Sequence, residues 1–477
     1  MFPEIFSKTF SEFFSEFFSE FFSESFSIFL ANPAAGFVFC ILAGWLFGLL
    51  TGMIPGIHVN NIAAVLAGAA GFLYAFGFSP ILLSAVILSC AVSHTFHNII
   101  PAIFLGAPGE ETVFAVLPGH KLLISGYGLP AVRLSALGSA AAVLFSVLMI
   151  LPTIWFLSMF YPIFESCMGW ILLALSLVVL LSEKKIPKIF FAAIVFLTAG
   201  LLGLFAFETE SGLDPFLFAS SVSVLMPLLS GLFGVPQLIL SLFSKSESYE
   251  SSKTEMQFPS NLFLQNAALG TAAGAFVSWI PGVSSSVAAI LAGFFKKNKN
   301  AGADQLENIP AAEENELIQA AEYIVIVSAI NTANAVFGLL AFFAIGKSRN
   351  GAVVSVRDIL ENAGFPLTAG TFSGEMLELF LLFYIVIILS AFLSYFSTIR
   401  AGKFVPRLFQ KVDYRKISAL TLLLLSVLIF LMCGTYGFAI FIAAVLIGFL
   451  PVLLHVHKSH LMGVILFPVM LYFLGLR

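Results

Sequence analysis

Apolar residues in this chain come in long blocks, without the strict alternation of a half-buried strand or the narrow stripe of a surface helix. The blocks lie near 28–51, 62–79, 80–105, 134–159, 169–182, 189–207, 215–243, 262–295, 317–345, 369–397, 417–432, 436–455 and 459–476. A helix needs about 20 apolar residues to cross a bilayer, and several blocks are shorter than that or are interrupted by Pro-Gly. The pattern predicts an all-α polytopic membrane protein with about 10–12 transmembrane helices plus re-entrant segments, since open strand edges are not tolerated in hydrocarbon.

Polar interruptions organise the blocks. Lys184, Lys185 and Lys188 form one basic turn, and Lys296, Lys297 and Lys299 close another helix ahead of the acidic Asp304, Glu307, Glu313, Glu314 and Glu316. Arg400, Lys403, Arg407, Lys411, Arg415 and Lys416 make the strongest basic loop. Enrichment in Lys and Arg places the loops after 182, 295 and 399 on the cytoplasmic side. The mixed-charge run 245–260 reads as a linker, which gives four parts: an amphipathic low-complexity segment (1–27), a first membrane repeat (28–244), the linker, and a second membrane repeat (261–477). The first part repeats Ser-Glu-Phe-Phe, with glutamates at 12, 16, 20 and 24. Its period fits both a helix lying in the membrane interface and a slipped repeat that the fold tolerates.

The two halves echo each other. Pro55-Gly56-Ile57-His58-Val59-Asn60-Asn61 precedes an Ala-Ala-Val-Leu-Ala-Gly run, and Pro281-Gly282-Val283-Ser284-Ser285-Ser286 precedes Ala-Ala-Ile-Leu-Ala-Gly. Gly48 matches Gly274 at the same offset as the two prolines. A second echo sets Val92-Ser93, His97 and Asn98 against Val327-Ser328, Asn331 and Asn334. Duplication with interrupted helices at matching places points to a transporter built of two related repeats, with inverted topology, and to a binding site at the breaks.

Composition narrows the class further. Hydrophobic residues make up 60% of the chain and charged residues 10%, against about 25% charged in soluble proteins. Most of the surface therefore meets membrane lipids, and the expected location is the cell membrane. With 22 basic against 26 acidic residues, there is no basic face for nucleic acid. The four cysteines, Cys40, Cys90, Cys167 and Cys433, sit singly in apolar runs and read as buried small hydrophobes. The acidic N-terminus is unlike a secretory signal.

The candidate chemistry sits at the breaks. Proline removes a backbone donor and interrupts the helix, so amides freed in the membrane need partners. The helix starting after each Pro-Gly would point its amides and positive dipole end at an anion. Asn60, Asn61, Ser284, Ser285 and Ser286 fall in those first turns as donors or caps. His94 and His97 share one helical face with Ser93 and Asn98 beside them; His58 and His120 complete the histidines of this half. Glu110, Glu111 and Thr112 follow Pro108-Gly109. Two readings compete for these ionisable groups. In one, the histidines donate to a carboxylate or phosphate while Glu110 or Glu111 handles a coupling ion. In the other, His58, His94, His97 and Glu110 hold zinc or iron in an intramembrane hydrolase. The first is preferred, with no metal and no cofactor beyond Na+ or H+. His455, His457 and His460 are explained by an interfacial loop.

Leu105-Gly106-Ala107-Pro108-Gly109, Leu117-Pro118-Gly119-His120, Gly126 and Ala136-Leu137-Gly138-Ser139 together resemble the large permease subunit of the tripartite tricarboxylate transporters. Ile54-Pro55-Gly56, Ile280-Pro281-Gly282 and Asn331-Thr332-Ala333-Asn334-Ala335 extend the resemblance over roughly residues 36–345. It looks like the divergent archaeal-type, single-component branch of that family. The resemblance implies a secondary permease for a small anion, a carboxylate, driven by a sodium or proton gradient. No GxxxxGK[ST] loop is present for ATP. Pro55, Gly56, His58, Asn60, Asn61, Ser93, His94, His97, Asn98, Pro108, Gly109, Pro281, Gly282, Ser284, Ser285 and Ser286 are the expected substrate residues; Glu110, Glu111, Thr112, Asn331, Thr332 and Asn334 are the expected ion-coupling residues. Two departures stand out: Pro118 replaces the family's aspartate, and Ile345-Gly346-Lys347-Ser348 replaces a second Pro-Gly loop. They argue against a tricarboxylate and against dependence on an accessory small subunit and binding protein; a lipid-phosphate translocase is the alternative reading, and a homodimer is a separate partner expectation.

Overall fold

The computed structural model of the chain describes residues 32–54, 59–104, 112, 115–183, 185–214, 216, 224–243, 253–281, 283, 285–300, 309–347, 349–365, 374–411 and 414–476. The Ser-Glu-Phe-Phe segment, residue 244 and residues 245–252 of the linker lie outside them.

Among the described residues every regular element is helical. The main helices are α1 (Pro33–Gly52), α2 (Val59–Gly68), α3 (Pro80–His97), α4 (Val116–Ile124), α5 (Gly128–Ser166), α6 (Met168–Leu181), α7 (Ile186–Glu208) and α8 (Val235–Phe243). The second half holds α9 (Ser260–Val277), α10 (Ser285–Asn300), α11 (Ile309–Ile345), α12 (Gly351–Asn362), α13 (Gly374–Lys411), α14 (Tyr414–Gly448) and α15 (Gly463–Phe473). Local chemistry sets several starts. Asn32 and Ser79 accept from the amides of Ala35 and Leu82, each followed by a proline at the first helical position.

Among the described residues, seven helical stretches are long and apolar enough to span a membrane, and Met168–Leu181, Leu225–Leu240 and Lys458–Phe473 are shorter apolar ones. The window in Pro80–Phe104 and that in Glu314–Ile345 are each 89% buried, against 28% for the one in α5. So α3 and α11 form the centre of the molecule, while α5 turns Leu144, Leu148, Leu151 and Trp155 outward. Cys167, expected to be buried, is exposed at the turn between α5 and α6.

Glycine seams set the helix directions. A Cβ added at Gly44 would strike the Val86 carbonyl oxygen, one at Gly48 the Cys90 oxygen, and one at Gly52 the His94 oxygen at 2.9 Å. The contacted position climbs with the glycine, so α1 and α3 run parallel with their backbones nearly touching. A parallel neighbour forces residues 53–79 to carry the chain back, and α2 with the turn Ala70–Ala75 does this in pieces. The second half repeats the arrangement: Gly270 meets the Ile326 oxygen and Gly274 the Ile330 oxygen, both at 2.6 Å. Here α9 and α11 are parallel, and the return contains Pro281 and α10.

Directions can also be compared across the halves. Ser146 Oγ lies 2.6 Å from Tyr384 Oη and Gly402 packs on Val132, so α5 and α13 are antiparallel. Ser390 Oγ donates to the Ser89 carbonyl at 2.8 Å and Ser397 Oγ lies 2.9 Å from His97 Nε2, so α13 and α3 are parallel. Lys121 pairs with Glu316, Ser135 Oγ lies 2.7 Å from Ser328 Oγ, and Arg349, just past α11, donates to Tyr161 Oη at 3.1 Å. Hence α5 and α11 run together, and α3 and α11 point in opposite directions. They meet where Thr95 Oγ1 and Thr332 Oγ1 are 3.4 Å apart.

The apolar blocks 417–432 and 436–455 join into α14, broken at Gly434 (φ 69°, ψ −169°). The Asp214 carbonyl approaches Gly434 closely, and the Phe216 amide donates to the Leu431 oxygen at 2.9 Å, so a backbone group freed by the break finds a partner. The described end of the linker is fastened to the start of α5. Lys253 donates from its amide to the Gly126 oxygen at 3.0 Å and sits 4.0 Å over the Tyr127 ring, and Arg133 donates to the Thr254 oxygen at 2.7 Å.

Candidate functional site

The chain interruption at Pro281 is the better described of the two predicted breaks. The helical pattern of α9 persists to Ser278, whose amide donates to the Gly274 oxygen at 3.1 Å; Ile280 then makes a tighter turn to the Val277 oxygen. Proline at 281 has no amide with which to continue. Trp279 is buried before it, edge-on to Tyr161 with centroids 6.2 Å apart. Beyond the break, α10 opens at Ser285, where Asn334 Nδ2 of α11 donates to the buried Ser285 Oγ at 3.3 Å. Asn331 and Thr332 are buried within one turn of Asn334. Two predicted substrate residues, Pro281 and Ser285, and three predicted ion-coupling residues thus share this junction.

Pro281 walls a cavity of about 470 Å³ together with Glu165, Lys347, Arg349 and Tyr472. Lys347 Nζ pairs with Glu165 Oε1 at 2.8 Å, while the Arg349 guanidinium donates to Tyr161 and has its Nε buried without a partner among the described residues. Two cations face one carboxylate, so the wall carries a net positive charge suited to an anion. The same turn reaches the first break. A Cβ at Gly351 would lie 2.5 Å from Asn60 Cγ, at the start of α2, and Asn350 caps α12 by accepting from the Ala352 amide at 2.9 Å. Sequence reasoning assigned Lys347, Arg349 and Tyr161 no role. Its available signal was a pair of cations between two apolar blocks, in the loop matched to Pro108-Gly109.

Pro55, Gly56, His58, Pro108, Gly109, Glu110, Glu111, Gly282 and Ser284 lie outside the described residues, as do the side chains of Asn61 on α2 and Ser286 on α10. Thr112 is buried, with its hydroxyl unpartnered among the described residues; Asn98 is buried at the end of α3.

The histidine pair is built into the helix packing. His97 Nδ1 lies 2.7 Å from the Ser93 carbonyl oxygen, which assigns it the proton, so Nε2 accepts from Ser397 Oγ. Trp45 Nε1 donates to that same Ser397 Oγ at 3.2 Å, and Ser93 Oγ donates to the Trp45 oxygen at 2.7 Å. Both nitrogens of His97 therefore tie α3 to itself and to α13, leaving neither for a substrate or a metal. His94 Nδ1 lies 3.2 Å from Thr51 Oγ1 of α1. The seams pair residues at a different offset from the second sequence echo. Gly48 meets Cys90, Ser93 and His94 through the same three atoms by which Gly274 meets Ile330, Ala333 and Asn334. In the contacts of the two glycines, His94 takes the place of Asn334 and Ser93 that of Ala333.

A family model described as the tripartite tricarboxylate transporter TctA family matches residues 38–463. An uncharacterized protein of Methanocaldococcus jannaschii is 27% identical over 432 residues, covering 88% of this chain and 94% of the relative. No solved structure matches.

Proposed function

The chain belongs to the tripartite tricarboxylate transporter TctA family, and on that premise we propose that it moves a small organic anion, a carboxylate, across the cell membrane as a secondary transporter. The family is one of transporters, so the intramembrane hydrolase is set aside. The observation that carries the proposal is the cavity at Pro281, where Lys347 and Arg349 face a broken helix. A carboxylate entering it would replace Glu165 as the partner of Lys347, an exchange that costs little because the pair is half-exposed.

Two inverted repeats, divided at residues 245–260, fit this role. The equal glycine seams and the opposed directions of α3 and α11 support them. Such repeats suit alternating access around a fixed site. The coupling ion is sodium or a proton, held at the junction of Asn331, Thr332, Asn334 and Ser285, and Glu110 and Glu111 are the carboxylates the sequence offers for it. The resemblance to the single-component branch, with Pro118 in place of the family's aspartate, is what favours a chain independent of an accessory small subunit and binding protein.

Uptake into proteoliposomes, paired with ligand-induced thermal shifts, tests this. Citrate-like acids should bind and be accumulated under a sodium or proton gradient. A charge-assisted hydrogen bond contributes about 1.5–3 kcal/mol, so Arg349→Gln should weaken binding roughly 10- to 100-fold. A ligand whose affinity is unchanged in the Lys347→Gln/Arg349→Gln double variant places the site elsewhere. A preference for isoprenoid phosphates over carboxylates would make the protein a lipid-phosphate translocase.

A further inference from the structure

The turn between α6 and α7 meets the turn that precedes α15. Glu183 from the first is buried, although a lone carboxylate resists burial. Its Oε1 accepts the His457 amide at 2.8 Å and lies 3.2 Å from His460 Nε2 and 3.4 Å from His457 Nδ1. The three side-chain ligand atoms all fall within 4.8 Å of one another.

We propose that Glu183, His457 and His460 form a binding site for a divalent transition metal of the zinc class. Zinc held tetrahedrally at about 2.0–2.2 Å sets neighbouring ligand atoms about 3.3–3.6 Å apart. The two measured separations from Glu183 are close to that edge length, so small side-chain adjustments admit the ion. Two imidazoles and a carboxylate select zinc, iron, nickel or copper over magnesium or calcium, which prefer oxygen. A simple ion pair would occupy one ring; here two rings converge on a single carboxylate oxygen. His460 is fully buried, and its Nδ1 has no partner among the described residues. The Glu183 contact is therefore what the structure offers to orient that ring. The His457 amide fixes the carboxylate, the outer-shell support such sites use. The His457 side chain is 52% exposed, which provides an entry path and leaves a fourth position for water.

Glu183 and the histidines are 274 and 277 residues apart in the chain, so the ion would staple the α6–α7 turn to the last helix. Packing already joins those elements: a Cβ at Gly200 of α7 would strike Phe467, and one at Gly463 of α15 the Phe196 oxygen. Tag-free protein in detergent, stripped with chelator and dialysed against zinc chloride, should retain one zinc per chain and unfold at a higher temperature. His457→Ala and Glu183→Gln should lower the zinc affinity by more than the roughly 10- to 100-fold cost of losing an outer-shell partner. His455→Ala, at an exposed neighbouring histidine, should leave it unchanged. Because the His457 ring is half outside the protein, its variant folds even if Glu183→Gln does not. Absence of bound zinc in the wild type, or equal binding in the wild type and His457→Ala, overturns the proposal.

Discussion

At the scale of single residues, polar side chains in this protein work mainly to hold helices together. His97 illustrates it: an ionisable residue at membrane depth is a functional suspect, yet its two nitrogens are taken by Ser93 and Ser397. Ser146 with Tyr384 and Ser135 with Ser328 do the same between other helices, as small polar groups commonly do in lipid. Backbone conformation is specified just as locally. Gly434 has φ 69° and ψ −169°, a region essentially reserved for glycine, and the Asp214 carbonyl lies against it. Gly434→Ala should therefore cost about 1–3 kcal/mol from conformation alone, and the close carbonyl adds to that. Thermal unfolding in detergent would measure the loss; an unchanged midpoint would mean that the break in α14 is not required.

At the scale of elements, the parallel pairs α1–α3 and α9–α11 explain why the breaks exist. Two neighbouring spans that point the same way need a return between them, and here the return is broken rather than a single span. Glycine permits the close approach: Gly44 and Gly48 in one pair, Gly270 and Gly274 in the other. Valine at 48 or at 274 would drive methyl groups into the facing backbone, and overpacking of this kind costs about 1–3 kcal/mol. Because the two seams use the same atoms, Gly48→Val and Gly274→Val should lower stability and transport by similar amounts. If one variant behaves as wild type in both assays, the seams are not equivalent.

At the scale of the whole molecule, the directions of α3, α5, α11 and α13 fix which ends share a membrane face. The start of α11 and the end of α13 lie with the start of α5, as the contacts of Glu316 with Lys121 and of Gly402 with Val132 require. This places the basic stretches after 295 and 399 on one face, the distribution that the positive-inside rule needs. Opposed α3 and α11 also set their starting ends on opposite faces. Single cysteines at the exposed positions 79 and 314, in a background with Cys167→Ser, should react with a membrane-impermeant maleimide from opposite sides of sealed vesicles. Labelling from the same side would rule out inversion.

The sequence alone determined the membrane class, the helical content and the family, because lipid demands long apolar runs with internally satisfied backbones whatever their neighbours. It also located Pro281, where proline followed by glycine interrupts the helix, whereas Pro152 and Pro162 stay inside the continuous α5. Pairing was beyond it. The return segments of the two halves differ in length, so a constant offset that aligned Gly48 with Gly274 could not align His94 with Asn334. Similarly, Lys347 and Arg349 are unremarkable loop cations until folding sets them beside Pro281 and Glu165. Glu183 and His460 are 277 residues apart, and no spacing rule links them. Only the tertiary structure decided these, because contacts between separate helices depend on how the helices pack, which the pattern along each one does not encode.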